Sequence, residues 1–206
     1  MADSDETEKE RLRIMDLTGR TLILTAGLVC ASATAQAEPE LLVIYEFSQP
    51  TDQQQWRTIN DTVMGGVSSS SLQTLGDGIG VFRGYVSLEN YGGFASVRSQ
   101  PKFRDLSEWT GLALRVRGDG KGYKLALKMD ANLDGIMYQA SFPTTAGEWT
   151  EVRLPFATCC APTFRGRDVP GAPALDPARI MQISLMISDK QEGPFQLEID
   201  WIAAFR

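Results

Sequence analysis

Between Leu41 and Trp201, apolar and polar positions alternate with a period of two in one short run after another, and Gly, Pro, Asn and Asp gather between the runs. That spacing predicts strands joined by turns. The cleanest block sets Leu112, Leu114 and Val116 against Ala113, Arg115 and Arg117. After Gly118-Asp119-Gly120-Lys121-Gly122 it sets Tyr123, Leu125, Leu127 and Met129 against Lys124, Ala126, Lys128 and Asp130. Two such runs with a Gly-rich link predict a hairpin with one apolar and one polar face. A third run follows, with Ile136, Tyr138, Ala140 and Phe142 opposite Met137, Gln139 and Ser141. Near the end, Ile183, Leu185 and Ile187 alternate with Ser184, Met186 and Ser188. Phe195, Leu197, Ile199 and Trp201 then alternate with Gln196, Glu198 and Asp200.

Other runs are less regular. Leu41 to Phe47 is almost continuously apolar, which suits a strand buried on both faces. Ser68 to Leu75 comes next, followed by the turn Gly76-Asp77-Gly78 and the run Ile79 to Leu88. The internal Gly80 and Gly84 of that run suggest a bulge or bend. Asn90-Tyr91-Gly92-Gly93 turns the chain into Phe94 to Ser99, and Gly147 opens Glu148 to Phe156. Ala157 to Pro177 carries Pro162, Pro170, Pro173 and Pro177, and reads as an extended loop of about twenty residues. About ten strands, with no long helix and no internal repeat, predict an all-β fold. The expected architecture is a two-sheet antiparallel jelly-roll β-sandwich, one domain over residues 38–206.

Residues 1–37 stand apart as a leader. The apolar run Thr21 to Ala33 follows Arg11, Arg13 and Arg20 and leads to Ala35-Gln36-Ala37, a small-x-small cleavage signature. Cleavage after Ala37 would leave a chain beginning at Glu38. The acidic stretch Ala2 to Glu10 is atypical of a signal peptide, which points to Met15 as the translation start. The run is too short to span a bilayer comfortably, so no membrane span is expected in the mature form. These features predict an exported, periplasmic protein, with a mitochondrial or membrane-associated placement as the alternative. Cys30 lacks a lipoprotein pattern because Gly27 stands where Leu is expected. The adjacent Cys159 and Cys160 read as unpaired thiols, since a disulfide between neighbours closes a strained ring.

Composition narrows the chemistry. The chain has 206 residues, enough for a sizeable core, and a formal net charge of -6. That charge argues against nucleic acid as a partner, because no basic surplus is present to displace phosphate counterions. Histidine is absent, which removes Ser-His-Asp and Cys-His triads and the usual zinc sites. Glu46, Glu89, Glu151, Asp189, Glu198 and Asp200 could supply a glycosidase acid pair, but the sequence pairs none of them. No enzyme and no cofactor are assigned.

Three constellations remain. Trp56 to Ser70 places Asn60 and Asp61, both turn-formers, before Gly65-Gly66 and shapes either a binding loop or a long strand connection. Arg115, Arg117, Lys124 and Lys128 would form a basic face on the expected hairpin, neutralised by acids such as Glu151 or Glu198, or open to an anion or partner. Asp130-Ala-Asn132-Leu-Asp134-Gly135 begins like a calcium loop, yet Ser141 occupies the closing Glu position. An Asx-rich turn explains the same letters, and no metal is assigned. Asn60-Asp61-Thr62 also fits a glycosylation acceptor.

Several segments together resemble the family of the complex I intermediate-associated protein of thirty kilodaltons. They are Trp56 with Asn60 to Ser68, Phe82 to Leu88 leading to Gly92-Gly93-Phe94-Ala95-Ser96-Val97-Arg98, and Leu114 to Gly120. Gly147-Glu148-Trp149, Pro162 to Arg167, Ile183 to Gln191, Phe195 and Asp200-Trp201-Ile202 complete the set. The resemblance implies a galactose-binding-like jelly roll, similar in fold to carbohydrate-binding modules. It also implies a non-enzymatic, protein-binding role, since mitochondrial members act as assembly chaperones for NADH:ubiquinone oxidoreductase. The leader and Cys159-Cys160 depart from the mitochondrial pattern.

The expected partner is therefore a protein, with respiratory-complex subunits as candidates. A carbohydrate-binding module with a glycan partner is the rival; most aromatic residues fall on inward-facing positions, with Tyr91 and Tyr85 as the candidate exceptions. The expected binding residues are Asn60, Asp61, Met64, Gly65, Gly66, Arg98, Arg165, Arg167, Asp189 and Lys190, gathered at one end of the sandwich. The alternative for the same residues is a structural network in which Arg98, Arg165 or Arg167 pairs with Asp61 or Asp189.

Overall fold

A computed structural model describes residues 40–49, 51–159 and 161–206, with the side chains of Thr158 and Cys159 excepted. The leader, and the question of the Cys159-Cys160 thiols, lie outside the described residues. The early strands are β1 (Leu41–Glu46), β2 (Trp56–Thr58), β3 (Ser69–Thr74), β4 (Gly80–Val86), β5 (Ala95–Ser99) and β6 (Gly111–Arg117). The later ones are β7 (Gly122–Lys128), β8 (Met137–Pro143), β9 (Trp149–Pro155), β10 (Ala161–Phe164), β11 (Arg167–Asp168), β12 (Gln182–Ile187) and β13 (Gly193–Phe205). They form two antiparallel sheets. One has the order β3-β4-β13-β6-β9 with β1 also on β13, and the other has the order β11-β10-β8-β7-β12-β5-β2. This is the two-sheet jelly-roll sandwich that the alternation predicts.

The core lies where period-two patterning places it. Leu112, Leu114 and Val116 face in from one sheet; Tyr123, Leu125, Leu127, Ile183, Leu185 and Ile187 face them from the other, all nearly inaccessible. Fully burying one such side chain contributes about 1.5–3 kcal/mol, so these two layers dominate the stability. Phe82 packs edge-on against Phe195 at 4.9 Å between ring centroids and ties β4 to β13.

Five local expectations change. The predicted hairpin does not form: β6 and β7 belong to opposite sheets, and the true hairpin is β7–β8. The Gly-rich link crosses the sandwich edge instead, where a Cβ on Gly118 would sit 2.2 Å from Thr144 Oγ1. The four basic residues are thereby split between two outer faces. In β13, a register shift between Ile199 and Trp201 advances the phase by one residue, so Ile202 and Ala204 enter the core and Trp201 does not. β1 pairs with β13 alone, leaving Leu41, Leu42 and Val43 exposed rather than buried on both faces. β4 runs in regular register with both neighbours; its glycines serve close approach, Gly80 to the Phe47 ring and Gly84 to the Ser69–Ser70 backbone. Finally, the proline-rich stretch is not a bare loop, because β10 and β11 extend the second sheet from it.

Candidate functional site

Alternation on the seven-stranded sheet sends Ser96 and Arg98 of β5, Ser184 and Met186 of β12, and Lys128 of β7 away from the core. All five are nevertheless buried. Three connections cover them: residues 59–66, residues 130–136 and the β10–β11 turn. Between these covers runs a groove of about 430 Å³, with Ser96, Arg98 and Met186 among the sheet residues that line it. Its rim is apolar and accessible. Val63 is 63% exposed, Met64 53%, Leu133 57% and Phe164 39%.

The first cover is held by Asn60 and Asp61. Asp61 is fully buried and is paired with no cation among the described residues. Its carboxylate accepts from Ser68 N at 3.0 Å, Gly93 N at 2.7 Å and Phe94 N at 3.3 Å, and from the Ser68 hydroxyl. One side chain thus joins residues 61–68 to the 87–94 connection by charge-assisted hydrogen bonds. Gly66 and Gly92 are required there, because a Cβ on either would fall 2.4 Å from Asp61 Cγ and 2.6 Å from Asp61 Oδ2, respectively. Asn60 Oδ1 accepts from Ser70 Oγ at 2.7 Å and Ser96 N at 3.1 Å, fixing the same segment to β3 and β5. Gly65 ends the short helical turn Asp61–Met64 with φ 95°. Val63 and Met64 are displayed on this turn.

The second cover wraps an internal cation. Lys128 is 1% exposed, and its ammonium lies 3.2 Å from Asp130 Oδ1 and donates to the Asp134 carbonyl at 3.1 Å. Burial pulls the Lys128 pKa below its ordinary value, against the opposing pull of Asp130. The residues that begin like a calcium loop therefore surround an ammonium. The third cover is a two-residue turn in which Arg165 and Gly166 take φ 49° and 73°, as a tight hairpin of this hand requires. Arg165 reaches Asp134 at 2.9 Å and links the second and third covers. Opposite, Lys124 pairs with Asp189 at 2.6 Å, on the turn where Asp189 and Lys190 both have positive φ.

Arg98 lies on the groove floor, 4% exposed. Its guanidinium donates to Ser184 Oγ at 3.2 Å, the Leu133 carbonyl at 2.9 Å and the Met137 sulfur at 3.3 Å. All three acceptors are neutral. Burial, and then the nearby Arg57, lowers the Arg98 pKa from its usual value, while Asp130 and Asp134 oppose the shift.

Of the expected binding residues, Met64, Arg98, Arg165 and Asp189 line the groove, together with Gly166. Asn60, Asp61 and Gly66 stand behind it and fix the first cover; Arg167 and Lys190 are exposed outside the lining. The expected Arg–Asp staples do not form. Asp61 takes backbone and hydroxyl donors, Asp189 takes Lys124, and Arg165 takes Asp134. Val63, Leu133, Phe164, Met137 and Met186 were not among the expected residues. A signal for the last two was present: the outward positions of β8 and β12 carry Met, Gln and Ser rather than charge, as a covered face does. Tyr91 is fully exposed and Tyr85 half-exposed, but neither lines the groove.

The model of the complex I intermediate-associated protein 30 (CIA30) family matches residues 45–199. The chain belongs to this family. Among curated CIA30 relatives, the mitochondrial complex I intermediate-associated protein 30 of Mus musculus is 30% identical, over 79% of this chain and 56% of that protein. The Drosophila melanogaster counterpart is 25% identical, over 78% and 61%. An uncharacterized Schizosaccharomyces pombe protein is 31% identical, over 80% and 84%. The chain thus spans little more than half the length of the mouse and fly relatives it matches. Among solved structures, a family 11 carbohydrate-binding module of Clostridium thermocellum, in complex with a mixed-linked tetrasaccharide, aligns at TM-score 0.58 and 16% identity. It covers 80% of this chain and 94% of the module. Part of an agarase aligns at TM-score 0.55 and 14% identity, over 80% of this chain and 24% of the agarase. At such identity these two speak for the jelly-roll fold alone.

Proposed function

We propose that this member of the CIA30 family is a non-enzymatic, protein-binding domain of the assembly-factor type, and that its partner docks in the groove on the outer face of the seven-stranded sheet. The observation that carries this reading is the rim. Four large apolar side chains, Val63, Met64 and Leu133 on the covering connections and Phe164 at the end of β10, stand exposed around one concavity. Contiguous exposed apolar side chains around a concavity mark an interaction site. Relatives named for association with complex I intermediates support subunits of NADH:ubiquinone oxidoreductase as the partner class. The same names support a mitochondrial compartment, whereas export rests on the leader sequence alone.

Binding without catalysis is supported by the fate of the acids near the groove. Asp130 serves Lys128, Asp134 serves Arg165, Asp189 serves Lys124 and Asp61 serves its amides, so each is committed to an internal partner. Among the described residues the rim is aliphatic for the most part, and no Tyr or Trp lines the groove as the platform expected for a sugar. The test is affinity capture of the full chain from its own host, compared with Leu133→Asp. Leu133 is exposed, so the variant folds while placing a charge on the rim. Capture of respiratory-complex subunits should fall by roughly tenfold or more, in line with loss of an interface anchor worth about 1.4 kcal/mol or above. Equal capture by both proteins, or binding of the mixed-linked tetrasaccharide abolished by Leu133→Asp, would overturn the proposal.

A further inference from the structure

We infer that the groove recognises an acidic side chain set among apolar residues of the partner segment, with the carboxylate bound by Arg98. This deepens the protein-binding reading above and rests on it. Arg98 is the one guanidinium on the groove floor that is almost wholly buried, and its three hydrogen bonds go to a hydroxyl, a carbonyl and a thioether. Arginine stays charged and carries five N–H donors, so two of them remain for a ligand. Arg98 has no salt-bridge partner among the described residues, and Asp130 and Asp134 act on it only from beyond that distance, so an incoming carboxylate would compensate the buried charge directly by a charge-assisted, fork-shaped contact.

The other cations of the groove do not compete. Lys124 is neutralised by Asp189, and Arg165 by Asp134. Arg98 is thus the groove-lining cation without a salt-bridge partner among the described residues, and it lies on the floor between apolar walls. The walls fix the class of ligand. A free small anion would use Arg98 and leave Val63, Met64, Leu133 and Phe164 without purpose, whereas an acidic residue flanked by Leu, Met or Phe uses both. Met64, Met137 and Met186 all line the groove, and their unbranched side chains adapt to neighbouring residues of varied shape. Arg98 also ties the cover to the sheet through the Leu133 carbonyl, so ligand binding at the guanidinium and closure of the second cover share one residue.

The probe is a phage-displayed library of short random peptides, selected on the full chain and then synthesised with a fluorophore for anisotropy. The expected consensus is one Asp or Glu with apolar neighbours. Replacing that acid by Asn or Gln in the peptide should weaken binding roughly tenfold or more, as for loss of a hydrogen bond to a charged group. Arg98→Met should bind the acidic peptide no better than the amide peptide, and Arg98→Lys should restore part of the discrimination. Should Arg98→Met fail to fold, the acid-to-amide change in the peptide, read with wild type and with Leu133→Asp, still decides the matter. An apolar consensus without an acid, lost in Leu133→Asp, would overturn this inference and leave the protein-binding groove standing. An acidic consensus still discriminated by Arg98→Met would place the carboxylate elsewhere and overturn it too. Failure to select any peptide sensitive to Leu133→Asp would remove both readings.

Discussion

The sandwich has two outer faces, and they treat positive charge in opposite ways. On the six-stranded sheet, Arg115 pairs with Asp200 and Arg117 with Glu198, and both guanidiniums lie over the Trp149 ring at 5.2 and 5.0 Å. These groups are partly solvated, and no connection among the described residues covers them. On the seven-stranded sheet, Lys128 and Arg98 are almost wholly buried beneath three connections. The first face spends its charges on neighbouring strands and stays a surface. The second encloses its charges under loops, and the enclosure makes a groove. Basic residues at alternate strand positions therefore say little until the covering of each face is known.

The largest expected effect breaks the cover itself. Asp61→Ala leaves the Ser68, Gly93 and Phe94 amides and the Ser68 hydroxyl without their shared acceptor. Each buried donor left unsatisfied costs about 1–3 kcal/mol, so a loss of about 4 kcal/mol is expected in urea unfolding. Asp61→Asn keeps the shape but turns a donor group toward amides, and should lose about half as much. Both should release Val63 and Met64 from the rim and weaken partner capture. A loss below about 1 kcal/mol for Asp61→Ala would mean that the cover is held by packing, and the distinction between the faces would weaken.

A smaller effect tests the buried ammonium. Lys128→Met relieves the burial of the ammonium but removes one partner of the pair; the Asp130 carboxylate left behind is 42% exposed and can be hydrated, so a moderate loss of about 1–2 kcal/mol from wild type is expected near neutral pH. Burial lowers the Lys128 pKa in the folded chain below the unfolded value of 10.5. As pH rises between those two values the unfolded chain holds more protons than the folded one, so wild type gains stability. The difference between wild type and Lys128→Met should therefore shift in favour of wild type as pH approaches 10.5, while below the folded pKa it stays flat. A flat difference across the alkaline range would show that the ammonium is as well solvated as the arginines of the other face.

Much of the fold was legible because burial imposes a period of two. The inward layers at Leu112–Val116, Tyr123–Leu127 and Ile183–Ile187 follow directly from their letters. What failed was non-local. No property of Gly118 to Gly122 distinguishes a turn within one sheet from a crossing between two, and the close approach of Gly118 to Thr144, in the next connection but one, cannot be read from those letters. The phase change at Ile199–Trp201 is a backbone event that both patterns of side chains tolerate. At the site, Asn60, Asp61 and the glycines stood out because their chemistry is odd for a core, yet they proved to be the fastening. The rim residues Val63, Leu133 and Phe164 look like ordinary hydrophobes in a sequence, and only their joint exposure marks them.

The smallest effect belongs to the open face. Arg115→Ala removes a partly solvated ion pair with Asp200 and a contact with Trp149. Exposed pairs contribute about 0.2–1 kcal/mol and cation–π contacts at such sites about 0.5–1, and the two share one side chain, so a loss under about 1 kcal/mol is expected. Salt should shrink it further, since the charges face solvent. Peptide and partner binding should not change, because Arg115 lies on the sheet opposite the groove. If Arg115→Ala instead lowered stability as much as Asp61→Ala, the six-stranded face would be as dependent on its polar groups as the covered one. Its ion pairs would then hold the fold as firmly as Asp61 holds the cover of the groove.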